Sequence, residues 1–420
     1  MKTKKFLSMA ALALVGAMMT GCSNDDNFDN PQQPENKNNV VTLTATVGFD
    51  DAASTRAVTG TGTKTFAVGD QIVLFYKDGK GLSRRVVSSA LTAGDITNEG
   101  KKANLTFDVS EALPATDGAI RYVYPANMAS TNHDSEFDLD DEHTIDFSKL
   151  NNQNGTLTTL GSSLDLCVFD GNFSGTNLPA SATLTNQLAI LAINLKNGTD
   201  ITSSITGLTI SDGTNNYAVS DISSASTIYV AIRPTSGASL SVIATAGTNY
   251  YGKYLTGKTY AVNHGYNVTW NMTPLTKVTW DNTNVFVEAN ENVVLDYWNT
   301  TPLTYEGITI SGVFSYDGGS NFMPYSAGLG LTWLDVTSDE SCTDSFTFTA
   351  SGGKNFYKIE ITGFPMNLHD ANWSLQGPLM VDGSSFIWSK APSNTVTITA
   401  SPAYRSTNFD YVTSMVFLTD

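Results

Sequence analysis

The sequence predicts an all-β protein: two consecutive β-sandwich domains followed by a C-terminal β-sandwich module. Short runs of alternating apolar and polar residues recur along the chain, bounded by Gly, Asn, Asp and Pro. Stretches with the 3.6-residue apolar period of a long amphipathic helix are hard to find. Once the N-terminal segments are set aside, roughly 380 residues remain, too many for a single core.

The N-terminus reads as an export signal over residues 1–21. Three lysines among the first five residues precede an apolar run, residues 6–19, that is too short to cross a bilayer as a stable helix. The run ends in "MTGC" (19–22), which resembles the lipobox of bacterial lipoproteins. That likeness makes Cys22 the lipidated first residue of the mature chain. Met19 stands where leucine is usual, and a plain secretory signal is the alternative. Residues 22–39 are rich in Asn, Pro and acidic side chains, with a single aromatic. They bury too little to offset their ordering entropy and read as a flexible tether.

The strand candidates then follow in order. "VTLTATVGF" (41–49) places Val41, Leu43, Ala45, Val47 and Phe49 on one face and threonines on the other, a half-buried strand. Further candidates are 70–76, 103–109, 119–125, 188–195, 207–212, 227–234, 240–246 and 260–272. "LAILAINL" (188–195) is apolar almost throughout and suits a strand buried on both faces, although periodicity alone leaves a helix open. Composition shifts near residue 275: all six tryptophans lie at or beyond Trp270. The domains are accordingly read as 40–175, 176–274 and 275–420, with a softer boundary around 171–182.

Net charge is −17, so no basic footprint for nucleic acid is present. Charged residues make up only 15%, which leaves hydroxyls and amides to solvate the surface. Beyond Cys22, Cys167 and Cys342 are poor evidence for a disulfide, and Cys167 within "LDLCVF" reads as a core residue. Four histidines occur without ligand spacing. No nucleophile elbow, phosphate loop or dinucleotide fingerprint is present, so neither a catalytic site nor a cofactor is assigned. "HDSEFDLDDEH" (133–143) has alternating carboxylates, Asp134, Glu136, Asp138 and Asp140, that suit a hard cation. It lacks the central glycine of a calcium loop, and a solvated charge run is the simpler reading; no metal site is assigned. Trp298, Trp333, Trp373 and Trp388, with Tyr297 and Tyr325, offer flat faces for stacking on sugars, buried core being the alternative. Trp373, in a loop-like stretch, is the candidate for ligand stacking, whereas Trp388 reads as strand and core.

Taken in order, the lipobox cysteine, "VTLTATVGF", "STRA" (54–57), "KTFAVGDQIVLFY" (64–76), "RYVYPAN" (121–127), "LTNQLAILAINL" (184–195) and "LTGKTYAVNHGYNVTWNM" (255–272) resemble the fimbrillin family. These are the type V pilins of Bacteroidota, also called Mfa-like lipoproteins. The resemblance covers about residues 1 to 273. The remainder looks like a β-sandwich module appended in surface lipoproteins of the same bacteria. Asp25 and Asp26 resemble the signal that sends such lipoproteins to the cell surface.

The resemblance implies two transthyretin-like, Greek-key pilin domains. It implies a fimbrial subunit anchored in the outer membrane through lipid; the extra module points to a tip or accessory position, with stalk and anchor roles left open. An arginine-specific protease would cut after Arg56, leaving Ala57 as the new N-terminus. Loss of the first strand would open a groove that another pilin subunit fills by donor-strand exchange. The terminal strand 411–420 is either that donor or a plain closing strand. The competing reading is a surface lipoprotein that holds host glycans or proteins without polymerising.

Overall fold

The computed structural model describes residues 40–49, 64–109, 112–133, 135–222, 224–281, 303–314, 322–324, 331–333, 344–362, 379–382, 385–400 and 414–420. Among them the fold is all-β, and the helices are single short turns.

The first sheet is built from β1 (Val41–Phe49), β2 (Val73–Lys77), β3 (Ser83–Val87), β4 (Ile96–Thr97), β5 (Lys102–Val109), β6 (Ala119–Tyr124), β7 (Cys167–Asn172) and β8 (Ser181–Asn186). They run in the order β3-β2-β6-β7-β8-β1-β5-β4. Leu43, Ala45 and Val47 of β1 meet Leu105 and Phe107 of β5, Leu74 and Tyr76 of β2, and Tyr122 and Tyr124 of β6 in one core. The two wings of the sheet thus close over shared apolar contents. Phe107 stacks on Tyr122 across that core, with ring centres 5.9 Å apart and planes 2° from parallel. β2 and β6 are buried on both faces. Their alternate residues Val73, Phe75 and Val123 belong to a second core, so successive side chains serve different sides of one strand.

A buried charge pins the β2–β3 turn. The Asp78 carboxylate is only 2% exposed. It accepts hydrogen bonds from the backbone N–H groups of Lys80 and Leu82 at 2.8 and 3.0 Å and from Arg84 Nε at 2.8 Å. Burial pushes its carboxyl up, but the Arg84 guanidinium and these donors outweigh that and hold it below the usual aspartate value. Such a depressed group contributes stability above its unfolded pKa, about 4, and loses it as the pH falls through the folded value. Asp78→Asn is therefore expected to cost about 1–3 kcal/mol at pH 6. The deficit should shrink as urea unfolding is repeated toward pH 2.

The second core lies among β9 (Ala189–Asn197), β10 (Thr199–Asp200), β11 (Gly207–Ser211), β12 (Asn216–Val219), β13 (Ile228–Ile232), β14 (Thr235–Ala246), β15 (Asn249–Tyr260) and β16 (His264–Asn271). β9 is a strand, with Ala189 through Ile193 all buried. It is enclosed because β13 pairs antiparallel with it and β16 pairs parallel over eight residues. A single strand across 260–272 is not what forms. β15 ends at Tyr260 and β16 begins at His264, because Asn263 takes a left-handed φ of 59° and its N–H donates to Leu188 at 2.9 Å. Asparagine tolerates that conformation, and it reverses the chain where the alternating pattern runs on.

β17 (Thr273–Asp281) carries hydrogen bonding from β15 into the C-terminal strands. These are β18 (Leu303–Tyr305), β19 (Ile308–Phe314), β20 (Phe322–Pro324), β21 (Leu331–Trp333), β22 (Asp344–Ala350), β23 (Phe356–Thr362), β24 (Leu379–Asp382), β25 (Ser385–Trp388), β26 (Thr395–Ala400) and β27 (Ser414–Thr419). One nine-stranded sheet runs β12-β11-β14-β15-β17-β27-β23-β25-β24. A four-stranded sheet, β18-β19-β22-β26, contributes to a third core around Trp280, Phe348, Phe356, Trp388 and Phe417. Gly252 in β15 lets the junction close: a Cβ there would lie 2.6 Å from the Tyr357 ring and 2.8 Å from Leu275.

Candidate functional site

β1 is an interior strand. It pairs antiparallel with β5 over eight residues, from Val41 opposite Val109 to Gly48 opposite Lys102. Its C-terminal half also pairs parallel with β8, from Thr46 opposite Ser181 to Phe49 opposite Leu184. The alternating sequence dictates the seating. Leu43, Ala45 and Val47 are buried, and Val41 and Phe49 pack partly buried against the same core. The threonines face outward, where Thr42 donates to Asp108 at 2.8 Å and Thr46 donates to Asn104 at 2.9 Å. Without β1, the facing backbone edges of β5 and β8 would lose their partners. Leu105, Phe107 and Leu184 would lose their cover.

The exit of β1 is clasped. Phe49 stacks on Phe66 with ring centres 4.3 Å apart, and Tyr124 completes the aromatic group at 5.5 Å from both. Lys64 Nζ lies 5.1 Å from the centre of the Phe49 ring and 4.7 Å from that of Tyr124. It forms an ion pair with Asp165 at 3.0 Å and sits 3.3 Å from the Cys167 Sγ. Asn186 donates to the other oxygen of the same carboxylate. The Lys64 side chain is 11% exposed. Burial disfavours its charge, but the Asp165 carboxylate and the Cys167 sulfur outweigh that and hold its ammonium above the ordinary lysine value. Tyr124 donates to Asp70 at 2.7 Å. Burial first, and then the Asp70 carboxylate, push the Tyr124 hydroxyl well above the usual tyrosine value, so it stays a donor.

Phe49 and Lys64 are therefore neighbours in space, with residues 50–63 between them in sequence. A chain of that length reaches about 3.3–3.6 Å per residue, far more than is needed to join side-by-side ends. Arg56 and Ala57 fall inside this connection and lie outside the described residues, as do Cys22 and Trp373. Tyr297, Trp298, Tyr325 and Cys342 also lie outside them, and Trp333 is placed only as backbone in β21. Trp388 is in β25 and buried, and Cys167 is a buried thiol outside any disulfide.

In the acidic stretch 133–143, Asp134 lies outside the described residues, Glu136 and Asp138 are exposed as in a solvated run, and the C-terminal end forms a short helical turn. Asp140 caps a helical turn, Asp141–Thr144, by accepting from the His143 N–H at 3.0 Å, and it lies 2.7 Å from His143 Nδ1. Asp141 pairs with Arg121, whose Nη1 is 3.3 Å from Asp170. Phe137 is buried and stacks on the His143 ring. Among the described residues, no three His, Cys, Asp or Glu side chains are grouped to hold a metal ion.

Two polar positions with large structural roles carry no local signal. One is Lys64. The other is Gln153, whose amide closes the free edge of β13: it donates to the carbonyls of Leu150 at 2.9 Å and Ala231 at 2.8 Å, and accepts from the Ala231 N–H at 2.9 Å.

No family model matches this sequence, and no curated protein matches it. Several solved structures resemble this chain. A fimbrial assembly protein from Parabacteroides distasonis is 13% identical, over 55% of this chain and 90% of its own, with a TM-score of 0.31. A protein assigned to cell adhesion from Bacteroides ovatus is 11% identical over 56% and 95%, at 0.33. Another so assigned, from Bacteroides uniformis, is 16% identical over 56% and 92%, at 0.28.

Proposed function

We propose that the chain is a fimbrial subunit of the cell surface, with a tip or accessory role, that polymerises by exchanging its first strand. The observation that carries the reading is β1 itself. It is an interior strand joined to the rest of the fold through one long connection, and that connection contains Arg56, the only basic residue between Lys37 and Lys64. One cut after Arg56 would free β1 from the chain that follows, while Lys64 and Phe66 stay on the body. The vacated groove would offer unpaired edges on β5 and β8 and an apolar floor. An extended strand from another subunit repairs both, because main-chain hydrogen bonds accept any sequence and alternate side chains fill the pockets.

In this reading Cys22 carries the lipid that holds the precursor in the outer membrane, 22–39 is the tether, and 40–175, 176–274 and 275–420 are the domains. An arginine-specific protease and neighbouring pilin subunits are the partners. The donor is an extended segment of a neighbouring subunit. β27 is poorly suited to that role, since it pairs on both edges inside its own sheet and buries Met415, Phe417 and Leu418. Contact with host glycans through Trp373 belongs to the same proposal. The Arg56→Ala chain is expected to fold and reach the surface but to remain unassembled. Fibres formed by that variant at the wild-type level would refute the cleavage step.

A further inference from the structure

The clasp under Phe49 contains a reactive pair that strand exchange does not use. Lys64 Nζ and Cys167 Sγ are 3.3 Å apart. Cys167 is buried, Lys64 is mostly covered, and both are held by their surroundings: Cys167 opens β7 opposite Tyr124, and Phe66, two residues beyond Lys64, is tied by its N–H to the Gly100 carbonyl at 2.8 Å. The Asp165 carboxylate, 3.0 Å from the ammonium, is placed to take its proton. An ammonium beside a thiol also favours the thiolate, the form that oxidants attack.

We infer that Lys64 and Cys167 are an oxidation-dependent cross-linking site, joined by a covalent bond between Nζ and Sγ. The oxidant is hydrogen peroxide or another two-electron oxidant of that class. Peroxide transfers one oxygen to the Cys167 sulfur, giving a sulfenic acid and releasing water; sulfur is oxidised by two electrons and peroxide is reduced. That oxidation removes the sulfur's charge, one of the two that hold Lys64 protonated, and burial then favours the neutral amine, which gives its proton to Asp165 and attacks the sulfur. The S–N bond forms, the S–O bond breaks, and the hydroxyl leaves as a second water with a proton from the pair. The net change is loss of two hydrogens and a sulfenamide that thiol reductants reverse. It would staple the segment beginning at Lys64 to β7, whether or not the chain is cut after Arg56, so it stands apart from the fimbrial reading.

The test is peptide mapping by mass spectrometry of the full chain, before and after titration with hydrogen peroxide. The expected product joins the Lys64 peptide to the Cys167 peptide, about 2 Da lighter than their sum, and dithiothreitol separates it. Cys167→Ser and Lys64→Arg should each abolish it; the wild-type map decides the matter even if a variant fails to fold. Four results would overturn the inference: a thiol that stays reduced, sulfinic or sulfonic acid on Cys167 with Lys64 unmodified, a Cys167–Cys342 disulfide, or a reductant-resistant pair about 18 Da lighter that joins Lys64 to Asp165 as an amide.

Discussion

Excision of β1 is expected to give a product that does not persist as a stable monomer. Leu43 and Val47 are almost fully buried, Ala45 is buried, and Val41 and Phe49 are partly so. At about 1.5–3 kcal/mol for each large side chain fully withdrawn from water, their loss removes on the order of 5–8 kcal/mol. The unpaired edges of β5 and β8 add to that cost. A domain has a total margin of roughly 5–15 kcal/mol, so the strand carries a large share of it. Cutting after Arg56 with an arginine-specific protease and displacing the fragment should therefore yield oligomers or capture of an added strand. A synthetic peptide of residues 40–50 should return the product to a monomer on size-exclusion chromatography. The same peptide carrying Leu43→Asp and Val47→Asp should fail, because each would bury an unpaired charge. A trimmed chain that remains monomeric and unfolds at the original urea midpoint would show that β1 is dispensable.

Gln153→Leu is the second large effect. The residue is 2% exposed, and the leucine side chain is shorter and apolar. Leucine would leave the Ala231 N–H, the Ala231 carbonyl and the Leu150 carbonyl without the partners they have now. Each buried polar group so orphaned costs about 1–3 kcal/mol, and some will find water, so a loss of about 3–6 kcal/mol is expected. The backbone of Gln153 also joins β12, donating to Ala218 and accepting from Ser220, both at 2.9 Å. Hydrogen exchange should therefore quicken in β12 and β13 together while β1 and β5 keep their protection. Exchange that quickens evenly over all described strands would mean the amide has no local role.

The strand at 41–49 was legible because one face is apolar and the other is threonine, and β9 because its apolar run has no gap. Both follow from side-chain period alone. β3 and β15 were not legible. β3 carries Arg84 and Arg85, which snorkel to Asp78 and to the Ser130 carbonyl, and β15 is interrupted by Gly252 and Gly257. The turn at Asn263 was hidden inside an unbroken alternation. The clasp was out of reach for a different reason. Lys64 meets Asp165 and Cys167 across separations of 101 and 103 residues, and Gln153 meets Ala231 across 78. Single polar residues with partners that distant leave no periodic trace, and only the closed sheet brings them together.

The cleavage site is a claim about one peptide bond, and the N-terminus of the mature chain on the cell surface tests it directly. Terminal sequencing or top-down mass spectrometry of fibres sheared from intact cells is expected to find Ala57. A lipidated Cys22 at the end of assembled subunits, with the bond after Arg56 intact, would contradict it.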